Sequence, residues 1–195
     1  MAMPTRVRAR RTWQHAGMAN RTYELGLVEV ADGVHAYLQP NGSWGWSNAG
    51  LLVDGDQARL VDTLFTRALT RQMLATMEPV LGDAEIGTIV NTHANGDHCY
   101  GNQDVPLARV ITTEATAHEL DELPAAALHH FNTMVGPFGD LFRSFFGAFD
   151  FSDVNVPPPD ETFTGTKTLQ VGATAATLTQ LGPAHNAGDC IVHLP

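Results

Sequence analysis

The feature of this sequence that most limits its fold is an apolar strand leading straight into a loop of polar side chains. Residues 87–92 read GTIVNT, which predicts a buried β-strand, and residues 91–98 read NTHANGDH. In that loop, the small residues Ala94 and Gly96 lie between His93 and the adjacent pair Asp97 and His98, and they let the chain bring these side chains together. Histidine and aspartate are the usual protein ligands of zinc and related metals. The stretch predicts a metal site after a strand, with an ordinary polar turn as the alternative.

A second glycine-framed segment supplies a histidine that would complete such a site from a distance. Residues 182–189 read GPAHNAGD and place His185 in a loop before the last apolar stretch, CIVHLP. Catalytic zinc keeps an open position for water. We therefore expect His185 to join the first loop, although a lone histidine is more often an ordinary core or surface residue.

The first part of the chain predicts a β-meander followed by a helix. Residues 22–62 contain short Val- and Leu-rich stretches separated by Gly, Asn and Asp turns, which is typical of antiparallel strands. Apolar residues at a spacing of four predict a helix over residues 65–78. Thr66 is its predicted N-cap, and Pro79 and Gly82 are predicted to end it.

The rest of the chain continues this alternation. A strand is predicted around residues 108–112, a helix around residues 114–123, and a hairpin that turns at Gly172. Strands and helices joined by short connections predict an α/β fold in which helices pack on a sheet.

Aromatic residues are concentrated in one region. Seven of the nine phenylalanines lie within residues 131–151, at a spacing that fits one helix face. Trp44 and Trp46 lie on a turn between predicted strands. We interpret the rings either as packing between helices and sheet or as an apolar wall that favours substrates with an aromatic or alkyl portion.

Charge argues against a nucleic-acid partner. Eleven basic and twenty-one acidic residues give a net charge of −10, and five arginines lie in the first 21 residues. The remaining body is strongly acidic, whereas nucleic-acid binding needs a basic face. Residues 1–20 are predicted to form a disordered basic tail, and residues 21–195 a single domain whose oligomeric state is left open.

Other features bear on location. The sequence holds no apolar run long enough to cross a membrane and no secretory signal at its start. Cys99 and Cys190 are too few for a disulfide framework and favour a reducing compartment. We expect a cytoplasmic protein without a membrane partner.

Three stretches, in order, resemble the metallo-β-lactamase superfamily. Residues 92–98 look like its metal-binding signature, H-x-H-x-D-H after a strand, and residues 182–189 resemble its G-x-x-H-T-x-G-D segment. Asp62, in the stretch LVDT, matches the acid at the end of an upstream strand. The resemblance covers residues 25–195. It implies an αββα sandwich, in which two β-sheets face each other with helices outside and a metal centre lies at one rim.

The resemblance implies a metal-binding role for five residues. His93 and His185 would bind a first metal, and Asn95 stands in the place of the signature's middle histidine. Asp97 and His98 would bind a second metal. The implied cofactor is zinc, as one or two ions, with iron or manganese as alternatives.

Three acids would support the chemistry. Asp62 and Asp189 would orient histidine rings or hold the loops behind the metal ligands, with turn formation as the alternative. Asp97 would also be the catalytic carboxylate that holds the attacking water.

The sequence departs from the family pattern at two points. Asn95 replaces an imidazole with an amide, a much weaker zinc ligand, which would favour a single metal, a harder metal or the loss of catalysis. The family's bridging aspartate and final histidine have no counterpart after His185, because His193 does not match the position of the last histidine. We therefore expect an αββα domain that is truncated on its C-terminal side.

Hydrolysis is the function that the resemblance implies. A metal-activated water would attack a small ester, thioester, lactone, sulfate ester or β-lactam, and no residue selects among these substrates. The first alternative is a non-catalytic scaffold or binding protein that has lost metal ligands. The second is a redox role, as in diiron relatives with an altered signature.

Overall fold

The computed structural model describes residues 23–122 and 125–195. The predicted tail over residues 1–20 lies outside the described residues, as does Leu123 at the end of the helix predicted around residues 114–123. None of the described helices is long and apolar enough to cross a membrane.

Seven strands form the larger sheet, in the same order as along the chain. Strands β1 to β4 are antiparallel neighbours, which confirms the predicted meander, and β4 to β7 are parallel neighbours. The strands are β1 (Gly26–Ala31), β2 (Val34–Leu38), β3 (Ala49–Asp54), β4 (Gln57–Val61), β5 (Glu85–Val90), β6 (Arg109–Thr113) and β7 (Glu161–Phe163).

Helix α1 (Arg67–Leu81) packs on one face of this sheet. The Thr66 side chain accepts a hydrogen bond from the Leu69 N–H and caps the helix, as predicted. Met73 and Met77 are fully buried against the sheet, and burial of each such side chain contributes about 1.5–3 kcal/mol. The prediction that Pro79 ends the helix was wrong. The proline lies inside the last turn, where its missing N–H costs only one helical hydrogen bond, and Gly82, with φ 55°, caps the end.

The connection from β6 to β7 carries three of the helices. Helix α2 (Gly96–Cys99) lies earlier, after β5, and α3 (Glu114–Glu122), α4 (Ala125–Thr133) and α5 (Pro137–Phe146) follow β6. The phenylalanine spacing is therefore only partly helical, because Phe149 and Phe151 lie beyond α5. These two rings are buried in an aromatic cluster with Phe65 and Tyr100.

A second sheet faces the first. Strands β8 (Thr166–Val171), β9 (Thr174–Gln180) and β10 (Cys190–His193) are antiparallel, and β8 and β9 form the predicted hairpin at Gly172. Side chains from both sheets, among them Val90, Ile111 and Leu178, form an apolar layer between them. The two facing sheets with α1 outside the larger one match the predicted αββα type of sandwich.

Candidate metal centre

Two parallel strands bring the candidate residues to one edge of the large sheet. β4 is followed by Asp62, and β5 is followed by the loop that contains His93 and by the short helix α2 with Asp97 and His98. Because β4 and β5 are parallel neighbours, their carboxyl ends lie side by side. The Asp62 N–H donates to the Val90 carbonyl at 2.9 Å, which fixes the first residue after β4 against the end of β5.

Asp62 connects the two strand ends through its carboxylate. One oxygen accepts the Thr92 N–H at 2.7 Å, and the other accepts the Thr92 hydroxyl at 2.7 Å and lies 2.9 Å from His98 Nδ1. The side chain is buried, and its φ of 63° is the one positive φ of a non-glycine residue in the described part of the chain. A left-handed conformation costs about 1–2 kcal/mol for most residues and less for Asp or Asn. The strained backbone is held by contacts that also orient His98.

The hydrogen bonds of His93 and His98 assign a tautomer to each ring. His98 donates Nδ1–H to the Asp62 carboxylate. The Thr92 hydroxyl donates its single hydrogen to Asp62. It therefore accepts a hydrogen bond from Nδ1–H of His93, at 2.9 Å. Both rings are left with a free Nε2 lone pair, which is the form that binds a metal.

The charges around the two rings differ. Burial lowers the pKa of His93, and the charge of His98 lowers it further, so His93 is held neutral. Burial also lowers the pKa of His98, but the hydrogen bond and charge of Asp62, with the charge of Asp97, outweigh burial and leave it raised. The ring centroids are 4.2 Å apart, so each ring lies within the electrostatic influence of the other.

The backbone of His98 is fixed from behind. Its carbonyl accepts the Thr63 N–H at 2.9 Å and the Asn91 side-chain amide at 2.9 Å. Asn91 and Asn102 are buried and hydrogen-bond to each other through their amides, with the shorter distance 2.7 Å. This network of satisfied amides was not predicted from the sequence.

His185 is brought to the site by a loop that is fastened to α3. The Gly188 carbonyl accepts the hydroxyls of Thr113 and Thr116, at 2.8 and 3.1 Å. The Glu119 carboxylate accepts the Ala187 N–H at 2.9 Å. The His185 ring centroid consequently lies 5.2 Å from that of His93.

Asp189 and Asn95 shape the same loop. Asp189 accepts the Asn186 N–H at 2.7 Å, closing a turn around His185. The Asn95 amide nitrogen lies 2.8 Å from His185 Nε2, and its oxygen accepts the Asn186 amide at 3.2 Å. Asn95 thus links the two candidate loops directly, and it occupies the ring nitrogen through which His185 would bind a metal.

Asp97 lies at the open side of the site. One of its carboxylate oxygens is 3.7 Å from His98 Nε2, and its backbone carbonyl accepts the hydroxyl of Ser47. The Ser47 contact fastens the turn between β2 and β3 to α2, so that the tryptophans of that turn lie beside the site.

A cavity of about 630 Å³ opens beside these residues. Asn95, Asp97 and His185 line it on one side, and Glu119 and Glu122 of α3 also line it. Its apolar residues come from five segments of the chain: Trp44, Trp46, Phe65, Tyr100, Leu128 and Phe146. The cavity thus joins candidate metal ligands to an aromatic surface.

The comparisons with known proteins place this arrangement in a family. The family model of the metallo-β-lactamase superfamily matches residues 42–195, most of the chain. The chain belongs to the metallo-β-lactamase superfamily. No curated protein matches it.

Solved structures of the metallo-β-lactamase fold are similar to it. A metallo-β-lactamase from Pontibacter korlensis has a TM-score of 0.64 at 20% identity, over 88% of this chain and 67% of that one. A β-lactamase domain protein from Burkholderia ambifaria gives 0.62 at 23%, over 86% and 52%. The stereoselective inverting sec-alkylsulfatase Pisa1 from Pseudomonas sp. gives 0.61 at 15%, over 88% and 30%. The chain spans between about a third and two thirds of the length of these three proteins.

The metallo-β-lactamase family implies a divalent cation, and the side chains of this chain suit such a cation in chemical type more than in placement. Within residues 23–122 and 125–195, no group of three or more His, Cys, Asp and Glu side chains has the geometry to hold a metal ion. The donor types nevertheless fit, since His93 and His98 both present Nε2 and Asp97 lies next to one of them. The donor chemistry therefore suits a divalent cation, but the side chains as placed do not converge on one, and the Asn95 amide nitrogen lies 2.8 Å from His185 Nε2.

Sequence reasoning missed several residues around this candidate site. Glu119 and Glu122 lie three apart on one face of α3, but nothing in the sequence connects α3 with the His185 loop. Phe65 and Tyr100 read as ordinary core positions. Cys99, next to His98, is fully buried, and its thiol faces the Asn95 carbonyl at 3.4 Å rather than the cavity.

Proposed function

We propose that this chain carries the centre of a metal-dependent hydrolase that binds a single zinc-like cation. The observation that carries the proposal is the pair of oriented imidazoles. His93 and His98 each have Nδ1–H fixed by a hydrogen bond and Nε2 free, with the ring centroids 4.2 Å apart. Such orientation by a partner behind the ring is typical of metal-binding histidines.

Each residue has a defined part in the proposed centre. His93, His98 and Asp97 would hold the cation once their side chains turn toward one point. His185 would join them after Asn95 releases Nε2 of His185. A bound divalent cation would lower the pKa of a water toward neutral pH, and it would polarise the bond to be cleaved. Asp97 would orient that water and accept its proton, because its carboxylate lies at the open side of the site.

The proposed substrate is a small ester, thioester, lactone or sulfate ester with an apolar portion. The aromatic wall beside Asp97 supports the apolar portion, since it offers Trp44, Trp46 and Phe146 to whatever occupies the cavity. The shape of the cavity does not by itself indicate which of these four types of bond is cleaved.

A non-catalytic binding protein is the second candidate, and one observation favours it. Asn95 contacts His185 Nε2 at 2.8 Å and Asn186 at 3.2 Å. These contacts hold the two loops together without any metal. A protein that kept only this link would retain the fold and the cavity but not the chemistry.

Metal content separates the two candidates. The full chain would be loaded with zinc, dialysed against metal-free buffer and analysed for metal, then assayed with an aryl acetate, a thioester and a lactone. The matched set is His93→Ala, His98→Ala and His118→Ala, because His118 is an exposed histidine of α3 outside the site.

The hydrolase proposal expects one zinc per chain in the unmodified protein and in His118→Ala. It expects the metal and the hydrolysis to be lost together in the other two variants. A folded chain that retains no zinc, or hydrolysis that survives His98→Ala, would overturn the hydrolase proposal and favour the binding protein.

A further inference from the structure

The cavity beside the candidate centre is negatively charged. Three carboxylates line it, those of Asp97, Glu119 and Glu122. Among the residues that the structure places around the cavity, none is Lys or Arg, and His185 is the one residue that can carry a positive charge. If Asp97 serves the cation, Glu119 and Glu122 remain as negative charges on the α3 side, and the one basic group recorded beside either of them is the exposed His118, 3.5 Å from Glu122.

The cationic side chains of the described residues are engaged elsewhere. Arg67 and Arg71 bind Asp104, and the remaining four also have their partners outside the cavity. These four are Arg59 beside Gln57, Arg109 and Lys167 on Glu161, and Arg143 on Asp140. Within the described ranges, therefore, no guanidinium or ammonium group is placed to receive an anionic substrate.

The two carboxylate oxygens of Glu119 differ in their hydrogen bonding. One of its oxygens accepts the Ala187 N–H. The other is buried and has no hydrogen-bond partner among the described residues. A buried carboxylate oxygen without a donor is costly unless a positive charge lies nearby. Because Glu119 lines the cavity, a cation in the cavity would lower that cost through space.

The aromatic residues that line the same cavity also suit a cation. Trp44 is 70% exposed, and Trp46, Tyr100 and Phe146 line the same space. Aromatic faces attract ammonium groups through their quadrupoles, with tryptophan the strongest. Carboxylates and aromatic residues around one cavity favour the binding of quaternary or protonated amines over neutral groups.

We propose that this cavity selects substrates that carry a positively charged ammonium group on or beside an aromatic or bulky alkyl portion, and discriminates against anionic substrates. The part of this inference that concerns cleavage rests on the proposed hydrolase function, whereas the part that concerns binding does not. It disfavours sulfate esters and other acidic compounds among the substrates considered above, and favours cationic esters and lactones.

The test compares three phenols of similar shape that differ in charge. They are (4-hydroxyphenyl)trimethylammonium, 4-tert-butylphenol and 4-hydroxybenzenesulfonate, titrated into the full chain by calorimetry with and without zinc. We expect the cation to bind about ten-fold more tightly than the tert-butyl compound, and the sulfonate to bind more weakly than both. In Glu119→Gln/Glu122→Gln, where shape and hydrogen bonding are kept, the preference for the cation should fall to about three-fold.

Glu114→Gln is the matched control, because Glu114 lies on the same helix and does not line the cavity. It should keep the full preference. Equal binding of the three phenols, tighter binding of the sulfonate, or a preference that the double variant retains would overturn the inference.

The acetate esters of the same phenols separate this inference from the proposed function, with each rate divided by that of the hydroxide reaction. Preferential binding of the cation without hydrolysis means that the proposed function fails and the binding inference stands. Hydrolysis without preference for the cationic ester means that the inference fails and the proposed function stands.

Discussion

The Asp62 carboxylate lies 2.9 Å from Nδ1 of His98 and accepts both the N–H and the hydroxyl of Thr92, each at 2.7 Å. It therefore fixes the ends of β4 and β5 to each other and sets the tautomer of a candidate metal ligand. The Asp62 side chain thus contributes both to the stability of the fold and to the orientation of a candidate metal ligand.

Replacing Asp62 should separate these two roles. Asp62→Asn keeps a residue that tolerates the positive φ but removes the charge that holds His98, and we expect zinc affinity to fall about 10–100-fold. Asp62→Ala should lose affinity similarly and cost about 1–2 kcal/mol more in stability, because alanine is strained at this φ. Chelator competition and urea unfolding measure the two effects. Asp83→Asn, in an exposed turn, serves as the control, and equal zinc affinity in Asp62→Asn would contradict the assignment.

Asn95→His should change the metal stoichiometry. An imidazole at this position is a far stronger ligand than an amide and no longer joins Asn186 through an amide pair. We expect the variant to bind a second zinc that the unmodified chain does not retain after dialysis, as measured by elemental analysis. Asn95→Ala removes the link without adding a ligand and should leave a single zinc. An unchanged stoichiometry in Asn95→His would show that Asn95 does not limit the site.

Gly188→Ala should displace the His185 loop. A Cβ added at Gly188 would come within 2.2 Å of the Thr116 hydroxyl and 2.3 Å of its backbone nitrogen, so the loop must move. We expect a loss of about 1–3 kcal/mol in stability, measured by urea unfolding, together with weaker zinc binding. Gly87→Ala meets only the flexible end of Arg59 at 3.3 Å and should change zinc affinity little. A stable Gly188→Ala protein with normal affinity would exclude the proposed anchoring.

The phenylalanines should divide into core and surface. Phe151 is buried among Phe65, Tyr100 and Phe149, so Phe151→Ala should cost about 3–5 kcal/mol. Phe145 is 50% exposed on α5, and Phe145→Ser should cost less than about 1 kcal/mol. Thermal and urea unfolding compare them, and similar losses in both variants would contradict this division.

Both thiols should be unreactive in the folded protein. Burial raises the pKa of Cys190 to about 12 and that of Cys99 well above its ordinary value. Near pH 8 neither forms the thiolate that attacks a thiol reagent, so we expect labelling only after denaturation. Because the folded state keeps these protons where the unfolded state releases them, stability should fall as the pH rises above about 8.5. Labelling of the folded chain at pH 8 would contradict the burial.

Local patterns predicted the strands and the strand-end loops. The apolar stretches between turn residues in residues 22–62, and the apolar run before Asn91, can be recognised from residues that are neighbours in sequence. Both are found as strands. The gathering of His93, His98 and His185 also followed from motifs, and their ring centroids lie 4.2 and 5.2 Å apart. Whether they hold a metal remains a prediction.

Contacts between distant segments had no local signal. The bond between Asn95 and His185 joins residues 90 positions apart, and that between Glu119 and Ala187 spans 68. The sequence marked Asn95 as a poor ligand but could not indicate that it contacts the opposite loop. Pro79 was misread for a different reason, because a proline in the last turn of a helix removes little.

Strands β6 and β7 pair directly, Ile111 with Glu161 and Thr113 with Phe163, although residues 114–160 lie between them in sequence. The chain thus leaves the sheet and rejoins it at neighbouring positions, so this whole segment can be exchanged for another without altering strand order. Selectivity can then evolve by grafting, separately from the strand ends that carry the chemistry. The graft has two constraints. Thr116 and Glu119 within it hold the loop of His185, and Phe149 and Phe151 within it pack against Phe65 and Tyr100.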